Sequence, residues 1–305
     1  MTQSQNFSEE VSKSYIQKKP SSLKRWTKLL LRSKTGTVGF VIVFCVFLIA
    51  VLAPILAPHD PALINAADML KPPFWMEGGS TTNLLGTDNL GRDILSRILY
   101  GSQVSLLVGI TSVVVAGFIG VTVGLISGYF GGFIDNILMR LVDSFLAIPT
   151  ILFSLVILSI FGPSVITLIV VLGATNWVNY ARLVRGEVLT IKERDFVRAA
   201  HSIGVKNNKI ITRHLLPNVI SSFIVISTLS VATTIILEAS LSFLGLGVQP
   251  PTISWGTILS DGRDYLATSW WLATFPGIAI TITVLGIIFL GDWLRDVLDP
   301  RSKEK

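Results

Sequence analysis

Half of the 305 residues are hydrophobic and only 14% are charged. With a mean hydropathy of +0.66, that balance excludes an ordinary soluble domain and describes a chain that crosses a membrane several times. The formal net charge of +6 does not imply a nucleic-acid partner, because the basic residues are segregated by loop, as a topology signal would be.

The predicted elements, in chain order, begin with a tail and interfacial helix over residues 1–35. Residues 1–20 are polar. Leu23 to Lys34 then places Trp26, Leu29, Leu30 and Leu31 among Lys24, Arg25, Lys28 and Arg32, the pattern of a helix lying along the inner interface. A cleaved signal peptide is the competing reading, but the charged region is too long and the apolar stretch after it exceeds the usual length.

Because a crossing helix needs about 20 mainly apolar residues, spans are expected at 36–57, 104–127, 144–161, 165–181, 219–240 and 273–291. The fold class is therefore an all-α integral membrane protein with six transmembrane helices. Cys45, the only cysteine, falls in the first span, so the chain forms no internal disulfide.

An outer loop, 58–103, precedes the second span. Leu90, Ile94 and Ile98 recur every four residues and predict an amphipathic helix along the outer surface, with Asp88 capping its start and Arg92 and Asp93 facing water or another subunit. Within the second span, Gly117 and then Gly120, Gly124 and Gly128 form a small-residue stripe that lets two helix backbones approach closely in lipid. The break Phe161-Gly162-Pro163 separates the third and fourth spans; a single re-entrant hairpin is the alternative. Asn176 and Asn179 sit toward the inner end of the fourth, either on a polar path or at the interface.

The inner loop 182–218 is the most informative segment. It is basic and largely polar between apolar stretches, and Phe196, Ala199, Ala200 and Ile203 fall at i, i+3, i+4 and i+7, on one face of a short helix. Two alanines leave that face without bulk, so it can enter a narrow cleft. Gly204 stands where a left-handed cap would end the helix, and Pro217 marks the next element. The alternative is a solvated amphipathic loop on the lipid surface.

Beyond it, Glu238 is the main ionisable group within a span, placed to meet a substrate ammonium on the translocation path, to cap a neighbouring helix or to pair with a basic partner. Trp255, Trp270 and Trp271 fit an aromatic belt at the outer interface. Residues 104–291 thus make a transmembrane core, and 292–305 a second tail. With both termini in the cytoplasm, 21 of the 25 Lys and Arg residues lie inside, leaving Lys71, Arg92, Arg97 and Arg263 outside among seven carboxylates.

Motifs for chemistry are missing from the sequence. It contains no G-x-x-x-x-G-K-[ST], no paired Cys or His at metal-ligand spacing and no G-x-S-x-G, and His59, His201 and His214 fall on both sides of the membrane. No catalytic or metal residue is assigned. A concentrating transporter built on this chain would need an energised partner, and the inner loop is the place for it to push.

Ala199, Ala200, Gly204 and the Leu216-Pro217 pair resemble the coupling-loop signature of binding-protein-dependent ABC importer permeases. LLGTDNLGRDILSRILYG (84–101), SLSFLGLGVQPPTISWGTILSDG (240–262) and GDWLRDVLDP (291–300) are similar to the peptide and nickel branch of that family, and KPPFWMEGGS (71–80) looks most like the C-type permease subunit of dipeptide importers. The likeness covers nearly everything from Leu23 onward. One departure is Arg198, where the family often has an acidic residue; Asp195 lies a turn earlier.

The resemblance implies a type I, MetI-like permease fold in the cytoplasmic (inner) membrane of a bacterium. A second homologous permease, two ATPase subunits, an extracytoplasmic binding protein and membrane lipid are the implied partners, with no nucleic acid. ATP and Mg²⁺ would be bound by the ATPases, leaving no cofactor in this chain. Asp195, Phe196, Arg198, Ala199, Ala200, Ile203 and Gly204 would seat in the ATPase. The outer loop with Asp88, Arg92 and Asp93 would either receive substrate from the binding protein or simply close the outer mouth. Dipeptides or short oligopeptides are the implied substrates, with nickel complexes, glutathione or another small solute as alternatives. An energy-independent channel and an integral membrane enzyme are the readings from other classes.

Overall fold

The computed structural model describes residues 22–298; the polar stretch 1–20 and the end of the tail from 299 onward lie outside the described residues. Those residues form helices joined by loops, with one isolated bridge between Thr87 and Asp93 and no strand.

The first helix, α1 (Ser22–Arg32), presents Lys28, Leu31 and Arg32 to the surface. Ser33 ends it and caps α2 (Lys34–Leu56), accepting the Gly36 N–H at 3.1 Å. Gly39 gives α2 its close seat on α10 (Trp271–Leu298): a Cβ there would fall 2.6 Å from the Leu290 nitrogen.

The long helix α3 (Ile94–Phe130, 37 residues) starts later than expected. Its N-cap is Asp93, whose carboxylate accepts the Ser96 N–H at 2.8 Å, so Leu90 and Asp88 belong to the preceding loop. At about 1.5 Å per residue α3 is far longer than the hydrocarbon requires and projects beyond it.

After α3 come α4 (Gly132–Leu146) and α5 (Thr150–Phe161), bent by 84°. The expected straight span 144–161 is thus broken at 147–149, where Pro149 has no N–H to continue the helix. α6 (Val165–Ile191) packs along α3 more extensively than any other helix pair does. The glycine stripe makes this possible: a Cβ on Gly124 would fall 2.7 Å from the Ala181 carbonyl oxygen, and one on Gly128 2.8 Å from Val188 Cβ. Gly117 instead faces the Phe223 ring.

A short α7 (Asp195–Ser202) leads into α8 (Asn207–Phe243), which includes a π-helical turn at Ile211–Leu215. α9 (Trp255–Gly262) lies between α8 and α10.

Among the described residues α2, α3, α8 and α10 are long and apolar enough to cross a membrane, or five spans if the bent pair α4/α5 is one. The fourth expected span, 165–181, lies in α6, which carries Asn176, Asn179, Arg182 and Arg185 toward its inner end. Leu168, Leu172, Tyr180 and Val188 of α6 are completely buried, so packing within the protein holds this helix where apolar exposure to lipid does not.

Candidate functional site

The inner site is built on a small apolar core. Val184, Val188 and Ile191 of α6 meet Val197 and Ala200 of α7 and Ile210, Leu215 and Val219 of α8. This splits the predicted stripe. Ala200 turns inward with Val197, which the sequence pattern did not single out, while Phe196 (43%), Ala199 and Ile203 (80%) face outward. Asp195 and Arg198 are exposed on the same short helix.

Gly204 ends α7 as the pattern predicts, at φ +79°. Its N–H donates to the His201 carbonyl at 3.0 Å, and the Val205 N–H donates to the Ala200 carbonyl at 3.1 Å. Those two bonds make a Schellman closure, and Val205 packs on the same core. The helix is therefore presented at a fixed angle.

Polar contacts anchor the surroundings. Arg185 grips Asp135 of α4 with two bonds of 2.6 Å, Lys192 donates to the Gly128 carbonyl at 3.1 Å, and the Tyr129 hydroxyl donates to Asn207 at 2.8 Å.

The outer site holds Asp88, Arg92 and Asp93, and there the expected exposure is corrected. Asp88 is buried: it accepts the Leu90 and Arg92 N–H groups at 2.8 and 2.9 Å, the Arg92 Nε at 2.6 Å, and a bond from Arg97. Arg97 and Arg92 also reach Asp261 at the end of α9, at 2.9 and 3.2 Å. Asp93 is buried as the α3 cap and accepts from Asn83 at 3.0 Å. Carboxylates that gather several donors can leave water, which explains why loop acids sit inside.

The tryptophans are corrected for a similar reason. Trp255 and Trp271 are buried, with their indole N–H groups donating to the Ile98 and Thr87 carbonyls at 2.9 and 3.2 Å. Only Trp270 keeps appreciable exposure, at 37%. Two of the three are core pins rather than belt residues.

Glu238 is fully buried near the outer end of α8. Its carboxylate accepts from Ser242 and Ser254 at 2.8 Å each and from Ser105 at 3.5 Å. A substrate ammonium would reach it only after that serine cage opened. Ser242, one turn on, was a legible partner; Ser105 and Ser254 come from elsewhere in the chain. A cavity of about 480 Å³ reaches both this cage and the Asp88–Arg97 network, lined by Arg97, Ser242, Asp261 and residues 247–253.

The profile of the family described as "Binding-protein-dependent transport system inner membrane component" matches residues 120–304, and "N-terminal TM domain of oligopeptide transport permease C" matches 21–73. The chain is 45% identical over 273 residues to a dipeptide transport system permease protein of Escherichia coli, covering 90% of this chain and 91% of that one. It is 40% identical over 284 residues to a di/tripeptide transport system permease protein of Pseudomonas aeruginosa (93% and 94% covered), and 38% over 286 residues to an oligopeptide transport system permease protein of Bacillus subtilis (93% and 92%). A solved structure, "Inward facing conformations of the MetNI methionine ABC transporter", aligns at a TM-score of 0.52 and 21% identity, covering 68% of this chain and 98% of that one, and shares the fold.

Proposed function

This chain belongs to the family of binding-protein-dependent transport system inner membrane components, and from that membership we propose that it forms half of the translocation path of an ATP-driven importer of dipeptides or short oligopeptides. The substrate class is carried over from relatives whose names specify di/tripeptide, dipeptide and oligopeptide transport.

The proposed assembly pairs the chain with a second permease, two ATPase subunits and an extracytoplasmic binding protein in the cytoplasmic membrane. Both termini face the cytoplasm. Six crossings complete it, with the bent α4/α5 pair supplying the third and α6 the fourth.

The observation that carries the reading is the two-sided character of α7. Val197 and Ala200 seal its inner face to α6 and α8, while Phe196 and Ile203, with the small Ala199 between them, leave an apolar outer face. Such a surface suits a groove on an ATPase subunit, with Asp195 and Arg198 at its rim and Gly204 fixing its end. ATP-driven closure of the two ATPases would push α7, tilt the helices that hold it and open the path outward; hydrolysis would reset it. This chain performs no chemistry itself.

The test is uptake of labelled di-, tri- and longer peptides into proteoliposomes holding the full assembly. ATP-dependent accumulation that requires the binding protein is expected, and it should be lost in Ala199→Glu because the ATPases dissociate. Accumulation without ATP would overturn the importer reading. Normal uptake by Ala199→Glu would overturn the role of α7.

A further inference from the structure

Among the described residues the Glu238 carboxylate is held only by hydroxyls, and they come from three places: Ser242 on its own helix, Ser105 on α3 and Ser254 at the start of α9. Two of these serines have a second duty. Ser254 accepts the Thr257 N–H at 3.2 Å and so caps α9, and Ser105 accepts the Trp255 N–H at 3.1 Å. One carboxylate therefore fixes the position of α9's first turn.

The far end of α9 is fastened differently. Asp261 is bound by Arg97 and Arg92, which also hold Asp88. Parting that network would strand buried charges. The hydroxyls that let go of Glu238 are neutral and strand no second charge, and the neighbouring cavity of about 480 Å³ has room for waters that would take over the carboxylate. One end of α9 is thus a fixed anchor and the other a releasable one.

Glu238 also lies at the end of a lever. α8 runs without a break from Asn207 to Phe243, so about 46 Å separates its base from Glu238 at 1.5 Å per residue. Val197 and Ala200 of α7 pack on that base through Ile210, Leu215 and Val219. The π-helical turn at Ile211–Leu215, followed by Pro217, is a local weak point at which α8 can bend.

We propose that Glu238 is a positioning residue of the transport cycle: its serine cage latches residues 247–255 shut over the outer end, and displacement of α7, carried along α8, releases it. This rests on the importer reading above. Gly247 seats directly against Ser242, and Val248 of the same segment is buried at 3% exposure in the cluster with Val108, Leu158, Leu168 and Leu241, so lifting the segment when the cage opens bares Val248.

The experiment uses the assembled importer in proteoliposomes, with Cys45→Ala removing the native thiol, and a membrane-impermeant maleimide applied from the outer face. Val248→Cys is labelled in the resting state and after trapping with ATP and vanadate. At least a ten-fold faster labelling in the trapped state is expected, with Gln249→Cys, already exposed, unchanged between states. Adding Glu238→Ala should raise the resting rate toward the trapped one, and Glu238→Gln, which keeps an oxygen for the serines, should restore much of the protection. Equal protection of Val248→Cys in both states, in vesicles that still accumulate peptide, would overturn the latch. That comparison leaves Glu238 intact, so it decides the matter even where the alanine variant fails to fold. Lack of ATP-driven uptake by the unmodified assembly would overturn the importer reading, and the latch with it.

Discussion

Arg97 on α3 and Asp261 at the close of α9 meet at 2.9 Å across 164 positions of sequence. Through Arg97 and Arg92 the outer loop, α3 and α9 share one charge network centred on the buried Asp88. Removing one partner of a buried pair leaves the other charge uncompensated, which costs about 3–5 kcal/mol. Arg97→Met should therefore lower the thermal stability of the purified chain markedly, read by a fluorescence melt in detergent. Asp261→Asn should lower it much less, because the Asp261 side chain is 38% exposed and Arg97 retains Asp88. Equal melting shifts for the two variants would contradict this account.

That network was only partly legible in the sequence. Local order was visible: the glycine stripe and the left-handed end of α7 follow from spacing, whereas the expected apolar face of the inner helix is split, because Ala200 packs inward with Val197. Asp93, five residues past the expected cap Asp88, took the capping role because a carboxylate immediately before the helix reaches the Ser96 N–H. Which acids are buried was not visible, because burial depends on donors such as Arg97 and Ser254 that arrive from distant parts of the chain. The break at 147–149 was hidden for a related reason. An apolar run shows that a segment avoids water, but not whether the helix through it stays straight.

The two alanines of the inner loop separate docking from folding. Ala199 is exposed and Ala200 is buried against Val197 and the α6–α8 core. Ala199→Glu should leave the chain inserted and melting normally while ATPase subunits no longer co-purify with it. Ala200→Glu buries a charge in an apolar core and should reduce the yield of folded protein before any question of docking arises. Co-purification and melting measured on the same preparations check this; loss of fold in Ala199→Glu would refute the outward placement of that residue.

At Gly204 the constraint is backbone conformation alone. Its φ is +79°, and a Cβ added there would meet nothing within 4 Å. A left-handed conformation costs an L-residue about 1–2 kcal/mol, and asparagine tolerates it better than β-branched residues do. The expected order of transport activity is Gly204→Asn above Gly204→Ala above Gly204→Val, measured as ATP-driven uptake at matched protein levels. If bulk rather than φ were the limit, alanine would transport better than asparagine.

The α3–α6 contact offers a steric test with an internal control. A Cβ on Gly124 would lie 2.7 Å from the Ala181 carbonyl oxygen and 2.8 Å from Val184 Cβ, whereas one on Gly186, also in this helix pair, would meet nothing within 4 Å. Backbone cannot yield as the far end of a flexible side chain does, so Gly124→Ala must push the two helices apart, an overpacking penalty of about 1–3 kcal/mol. Gly186→Ala adds a methyl in open space and removes a flexible residue from a helix interior, which favours the helix by up to about 1 kcal/mol. Melting temperatures of the two purified variants should therefore move in opposite directions from the parent. A tolerated Gly124→Ala would mean that the glycine stripe serves something other than close approach of α3 to α6.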